Sequence, residues 1–314
     1  MSTITTAMIF PGQGSQSVGM GRELAESHPA AKEIFDRADA VLGRSLSKLC
    51  WEGPEEELKL TVNTQPALYT CSAAALAVLR GEGIEPSIVA GHSLGEYTAL
   101  YAAGVFDFET GLKLVQARGK AMYEAGQARP GTMAAILSLS GDQVMEICKQ
   151  ASAKGCVVPA NWNSPEQIVV SGDPDAVAEA VRLAQEAGSR RSVMLPVSGA
   201  FHSPLVEPAV KVMEAELAGA RMQAPQCKFV ANVSAQVVGG VDEIRQGLAD
   251  QIVSCVRWSD SVVTMAGAGA QTFVEVGSGK VLTGLLRRIN KELKGAAFGT
   301  PADLAGVKAA LGMN

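Results

Sequence analysis

The chain has 314 residues, a formal net charge of −5, 47% hydrophobic and 19% charged residues. That length exceeds a minimal module and fits one large domain or two smaller ones, and the low charge content excludes a disordered chain. No basic run exceeds two residues, which argues against nucleic acid or an acidic membrane surface as partner and for small-molecule chemistry.

In chain order, residues 5–10 (TTAMIF) read as a strand stopped by Pro11-Gly12-Gln13-Gly14. Residues 20–42 carry helical apolar spacing through Leu24, Ile34, Phe35, Ala38 and Val41,. Residues 61–79 are uncharged but contain Asn63, Gln65 and Pro66, so they predict a polar loop and then a buried helix over 66–80 opened by Pro66, not a membrane span,. Ile88-Val89-Ala90 predicts a strand, residues 94–103 a helix and residues 108–125 another. This alternation is that of an α/β fold with parallel strands.

From residue 133 the rhythm changes. MAAILSL is a strand, GDQVMEICKQASAK a helix, and CVVPANW and EQIVVSG are strands around Asn163-Ser164-Pro165. A helix capped by Asp173 follows, then a closing strand, RSVMLPVS, ending at Ser198,. The order β-α-β-β-α-β is the ferredoxin-like pattern. Beyond residue 200 helices over 204–218, 242–253 and 280–293 alternate with strands over 228–233 and 272–276. The expected organisation is a large α/β domain, 1–129 and 198–314, interrupted by a small domain at 130–197. The six cysteines form no CxxC pair or Cys/His cluster, which argues against zinc,. Residues 1–10 lack the features of a signal peptide, and with free thiols this points to the cytoplasm,.

Gly91-His92-Ser93-Leu94-Gly95 fits G-x-S-x-G between a strand and a helix, the setting of a nucleophile elbow,. Ser93 is a nucleophile or a glycine-flanked turn serine. A nucleophilic serine needs a base, and the chain has three histidines. His28 sits in a polar helix end and His92, beside the serine, should point away. His202, in SGAFHSPL after a strand, is left as the base or as a capping or core imidazole. Gly12-Gln13-Gly14 could offer backbone N–H groups to an oxyanion or merely turn the chain. Neither a dinucleotide fingerprint nor a phosphate loop is complete,. Arg118, on its helix, reads by itself as a solvated surface charge. Glu96 should point along its helix and so is not a triad acid.

Taken together, FPGQGSQ (10–16), GHSLGEY (91–97) and GAFHSPL (199–205) resemble the signature blocks of malonyl-CoA:acyl carrier protein transacylases of type II fatty acid synthesis. Related acyltransferase domains occur in polyketide synthases. QPAL (65–68), ARGKAM (117–122), NWNSP (161–165) and EVGSGKVLTGL (275–285) extend the resemblance over nearly the whole chain. It implies an α/β-hydrolase-like core with an inserted ferredoxin-like subdomain. It also implies Ser93 as nucleophile, His202 as base, and an oxyanion hole from Gln13 and the Leu94 N–H. Arg118 would pair with the malonyl carboxylate, and the main-chain carbonyl of Gln251 would orient the histidine. Asn163 and Met122 would line the acyl pocket, and Phe201 would crowd the α-carbon of branched substrates. The implied partners are malonyl-CoA and acyl carrier protein, with no metal or redox cofactor; a monomer is expected. A thioesterase would share the serine and histidine, and a docking subunit would need neither.

Overall fold

Two sheets organise the chain, of which the computed structural model describes residues 6–197 and 199–313. β1 (Thr6–Phe10) leads into α1 (Arg22–Ser27), α2 (Pro29–Leu42), α3 (Leu46–Glu52), α4 (Glu55–Lys59) and α5 (Thr61–Gly81). Next come β2 (Ile88–Gly91), α6 (Gly95–Ala102) and α7 (Phe108–Ala128). The middle segment is β3 (Thr132–Leu137), α8 (Gly141–Ala151), β4 (Val157–Ser164), β5 (Gln167–Gly172), α9 (Pro174–Glu186) and β6 (Arg191–Met194). Then follow α10 (Pro208–Gly219), β7 (Lys228–Val230), β8 (Val237–Val238), α11 (Val241–Asp250) and α12 (Trp258–Gly267). β9 (Thr272–Val276), α13 (Val281–Ile289), β10 (Lys294–Phe298) and α14 (Leu304–Ala310) complete the fold.

The larger sheet has the order β10-β9-β1-β2-β7-β8. It is parallel except for β8, which runs antiparallel to β7. β1, β2 and β9 are buried at every position, as their nearly continuous apolar runs require for strands covered on both faces,. The one charged residue in these three strands, Glu275, accepts the backbone N–H groups of Leu282 (3.0 Å) and Thr283 (2.7 Å), so its burial is compensated at the start of α13,. Because the strands are parallel, the loops after β1, β2, β7 and β9 emerge at one edge, where α/β proteins place ligands.

The smaller sheet is antiparallel with the order β4-β5-β3-β6. Alternation along β3 divides its side chains between two cores. Ala134 and Ile136 pack with Val144, Ile147, Val177 and Ala180 of α8 and α9. Met133 and Ala135 face the larger core instead. β4 is tied to the segment before α12 by reciprocal backbone bonds, Trp162 N–H to Val256 O and Val256 N–H to Ala160 O, both 2.9 Å.

Several elements differ from the sequence expectations, and prolines account for three of them. The helix over 20–42 is two, because Pro29 opens α2 and brings no N–H to continue α1,. Residues 204–218 likewise divide before Pro208, and the strand over 191–198 closes at Met194, shortly before Pro196. Ser198 and Thr5, the outer limits read for two strands, lie outside the described residues. The expected polar loop before Pro66 is the first turn and a half of α5. There Thr64 Oγ1 donates to Leu58 O at 2.6 Å and Asn63 Nδ2 to Glu57 O at 2.9 Å, so polar side chains are satisfied within a helix,. Asn163 and Ser164 belong to β4, not to the turn after it. Asp173 precedes α9, but its carboxylate takes the Cys156 N–H at 2.7 Å and not a helix N–H. The helix over 280–293 stops at Ile289, and β10, β8, α12 and α14 had no strong pattern in the sequence. Among the described residues no helix is long and apolar enough to cross a membrane.

Candidate active site

The turn between β2 and α6 is set by close packing. A Cβ on Gly91 would lie 1.9 Å from Gly95 O, and one on Gly95 would lie 2.1 Å from Phe10 O, so neither position admits a side chain. Ser93 is forced to φ 50°, the left-handed region that costs a non-glycine residue roughly 1–2 kcal/mol,. Long-range bonds hold it there. The Ser93 N–H donates to Asn232 Oδ1 at 2.8 Å, and Ser93 O accepts from Gln251 Nε2 at 2.9 Å. Asn232 also donates through Nδ2 to Gly91 O at 2.7 Å, bracketing the turn.

Ser93 Oγ lies 2.8 Å from His202 Nε2, and His202 Nδ1 lies 2.8 Å from the main-chain carbonyl of Gln251. A carbonyl only accepts, so Nδ1 carries the proton and Nε2 is the lone-pair nitrogen facing the serine. His202 comes from the loop between β6 and α10 and is also at positive φ, 57°. Burial, reinforced by the nearby Arg118 cation, lowers its pKa to about 3. The imidazole is therefore neutral at physiological pH and ready to take a proton. A titration near the ordinary histidine value is not what this environment gives.

Arg118 is 1% exposed, which overturns the reading of a solvated surface charge. Gly119 beside it lets α7 approach α5 closely; a Cβ there would be 2.9 Å from Thr61 O. The guanidinium donates to Gln65 Oε1 at 2.8 Å, Gln251 Oε1 at 2.7 Å and Ser93 Oγ at 3.0 Å. It also lies over the Tyr97 ring, 5.6 Å from the centroid. All three acceptors are neutral, and among the described residues no carboxylate comes within ion-pair distance. A buried cation so placed keeps an unmet demand for negative charge.

These groups open into a cavity of about 340 Å³. Gln13, Leu94, Met122, Asn163 and Phe201 all line it, together with Ser93, His202 and Arg118. Among the described residues, no acceptor pairs with the backbone N–H of Gln13 or Leu94. The Gln13 side chain is separately engaged, accepting from Thr61 Oγ1 at 3.1 Å. His92 turns from the serine hydroxyl to Asn163 Oδ1, 2.8 Å from its Nε2, and packs against Trp258, yet it still borders the cavity.

Residues 7–308 match the family described as acyl transferase domain. The malonyl CoA-acyl carrier protein transacylase of Bacillus subtilis (strain 168) is 44% identical over 296 residues, 94% of this chain and 93% of that protein. An acyl carrier protein S-malonyltransferase structure from Vibrio cholerae matches with a TM-score of 0.93 at 43% identity, covering 97% of this chain and 100% of that one. A malonyl-transacylase solved in complex with a type II PKS acyl-carrier protein matches with a TM-score of 0.93 at 40% identity, covering 96% and 98%. The chain belongs to the acyl transferase family, among the malonyl CoA-acyl carrier protein transacylases.

Three residues of this acyl transferase site have a part in it that the sequence does not assign. Gln65, a polar residue of the uncharged 61–79 stretch and of the QPAL block, braces Arg118. Asn232, two residues beyond the end of β7, spans the elbow; its place after a parallel strand was the available signal. Glu96 does not run along its helix. Its carboxylate is buried, taking the Asn232 N–H at 2.8 Å and Gln251 Nε2, and it makes no bond to His202.

Proposed function

We propose that the chain transfers the malonyl group of malonyl-CoA to the phosphopantetheine thiol of acyl carrier protein, supplying fatty acid synthesis. The names of its relatives carry the substrate class. The single observation in this chain that supports it best is Arg118, a buried guanidinium 3.0 Å from Ser93 Oγ whose hydrogen-bond partners among the described residues are all neutral. A malonyl carboxylate is two carbons from the carbonyl that the serine would attack, and so falls within reach of that guanidinium.

In the first half-reaction His202 Nε2 takes the Ser93 proton as Oγ bonds to the thioester carbon. The Gln13 and Leu94 N–H groups receive the developing oxyanion, each worth roughly 2.7–4 kcal/mol in comparable sites. The tetrahedral intermediate collapses, the carbon–sulfur bond breaks, and coenzyme A leaves with the proton from His202. In the second half-reaction the carrier thiol gives its proton to His202 and attacks the malonyl-serine ester, and the proton returns to Ser93 Oγ. Gln251 O holds the imidazole in the required tautomer. Met122, Asn163 and Phe201 shape the acyl pocket. The reaction is balanced without a metal or redox cofactor.

The α/β-hydrolase-like core and the ferredoxin-like insertion belong to the same reading. The parallel sheet with its serine turn after β2 supports the first. The second draws on the β-α-β-β-α-β order of residues 132–194 and the sheet order β4-β5-β3-β6. The large subdomain then comprises 1–129 and 198–314, the small one 130–197, with the cavity lined by both. A cytoplasmic monomer is the setting that fits this reaction.

Mixing the protein with malonyl-CoA should add one malonyl group by intact mass, and holo carrier protein should discharge it as malonyl-carrier. Steady release of free malonate without carrier protein would instead make the chain a hydrolase. His202→Ala should slow both half-reactions by a similar factor, on the order of 10⁴-fold or more, since one imidazole serves as base and then acid. Loading and discharge measured separately by quenched flow check this; a variant slow only in discharge would contradict the shared role.

A further inference from the structure

The geometry points to Glu96 as a positioning residue: its carboxylate, acting through the side chains of Gln251 and Asn232, holds the Ser93 turn and the Arg118 guanidinium in the arrangement that malonyl transfer requires. This inference rests on the malonyl-transfer reading above. Glu96 is 2% exposed in the first turn of α6. One carboxylate oxygen accepts the Asn232 N–H and the other accepts Gln251 Nε2. Among the described residues those two make every side-chain bond to the serine backbone, at Ser93 N and Ser93 O. Gln251 has its amide oxygen 2.7 Å from Arg118 Nη2, and its carbonyl holds His202. An amide could sit either way round. The Ser93 carbonyl, which only accepts, and the Arg118 guanidinium, which only donates, set its nitrogen toward the serine and its oxygen toward the arginine, and the Glu96 carboxylate anchors that nitrogen with a charged acceptor for its second hydrogen,.

The strength of that anchor depends on the charge of Glu96. Both groups that meet the carboxyl are donors, so a proton placed on it leaves two donors competing for reduced acceptor capacity. The Gln251 amide then loses its charged anchor, and its hold on Arg118 loosens. Burial raises the carboxyl pKa to about 7, opposed by the bonds from Asn232 and Gln251 and by the Arg118 charge. Among the described residues the surrounding ionisable groups are few. Arg118 faces it from α7, Tyr97 follows it on α6, and His202 lies one residue away through Gln251. β1 and β2 bring no charged side chain to α6, and Tyr69 and Arg80 of α5 meet Tyr101 at its far end. His202, lowered to about 3, is already neutral throughout the range in which Glu96 titrates.

The test is the pH profile of kcat/KM for malonyl-CoA in wild type, Glu96→Gln and Glu96→Asp, between pH 5.5 and 8.5, a range of about three units chosen to bracket the raised carboxyl value. Wild type should rise through a group near pH 7 to a plateau, because the carboxylate is the competent form. Glu96→Gln, a permanent donor where the acid form has a proton, should be flat and roughly 10- to 100-fold below the wild-type plateau. Glu96→Asp keeps the charge with a shorter reach and should keep the rise at a lower plateau. If Glu96→Gln fails to fold, the wild-type and Glu96→Asp profiles decide. A flat wild-type profile overturns the inference, as does a Glu96→Gln profile that retains the wild-type rise. Absence of a malonyl adduct on wild type at any pH would instead remove the underlying transferase reading.

Discussion

Ser93→Ala should form no malonyl adduct and should lose transfer by on the order of 10⁶-fold, the scale seen when a serine nucleophile that works with a histidine is removed. The fold should survive. The turn is shaped by Gly91 and Gly95 and held through the backbone of residue 93, whose N–H and carbonyl keep their bonds to Asn232 and Gln251. What alanine removes is one hydroxyl, bonded to His202 at 2.8 Å and Arg118 at 3.0 Å. Net hydrogen-bond contributions of about 0.5–1.5 kcal/mol, or somewhat more beside a charge, set the loss in stability. Intact-mass spectrometry with malonyl-CoA, beside thermal unfolding, reads both effects. An adduct on the alanine variant would place the nucleophile elsewhere. Unfolding of the variant at ambient temperature would show that the hydroxyl carries structure.

The serine turn was legible because its causes are local: two glycines four residues apart, an apolar strand before and a helix after. The histidine was legible because the chain has few. What the residues alone could not show is the layer behind them. Arg118 has the sequence surroundings of an exposed helical arginine, and it is buried by the close approach of α5 over Gly119 together with Tyr97, Ser93 and Gln251. Asn232 is 139 residues from Ser93 and Gln251 is 158, pairings that no local periodicity encodes. The resemblance supplied the Gln251 carbonyl as an expectation, but it gave no role to the Gln251 side chain or to Glu96. The same limit applies to the fold. Alternation and apolar runs marked β1, β2, β3, β5 and β9, which are mostly buried, and also β4, β7 and the more exposed β6. β10, with the sequence KGAAF, has little β-branched or alternating character and gains its place by pairing with β9,. Helix boundaries moved where a proline or a satisfied polar side chain outweighed composition, as at Pro29 and at Thr61–Gln65.

Arg118→Ala should separate malonyl from acetyl transfer. The two acyl groups differ by one carboxylate, and beside the buried Arg118 that charge meets a planar two-pronged donor,. Leaving one side of a buried charge pair alone costs roughly 3–5 kcal/mol. At about 1.4 kcal/mol per decade, kcat/KM for malonyl-CoA should fall by roughly 10²–10³ or more. Acetyl transfer should fall far less or improve, since an uncompensated cation no longer faces a methyl group. The truncation also leaves the side-chain oxygens of Gln65 and Gln251 without a donor and opens space beside Tyr97, so some loss of stability accompanies it,. Arg118→Lys controls for that. It keeps the positive charge but cannot span Gln65, Gln251 and a carboxylate together, so it should retain stability better than alanine while still losing most of the preference for malonyl. The deciding quantity is the ratio of the two kcat/KM values, because a structural defect scales both substrates alike. If Arg118→Ala and Arg118→Lys leave that ratio at its wild-type value, the guanidinium serves packing alone, and recognition of the malonyl carboxylate must come from another residue of the cavity.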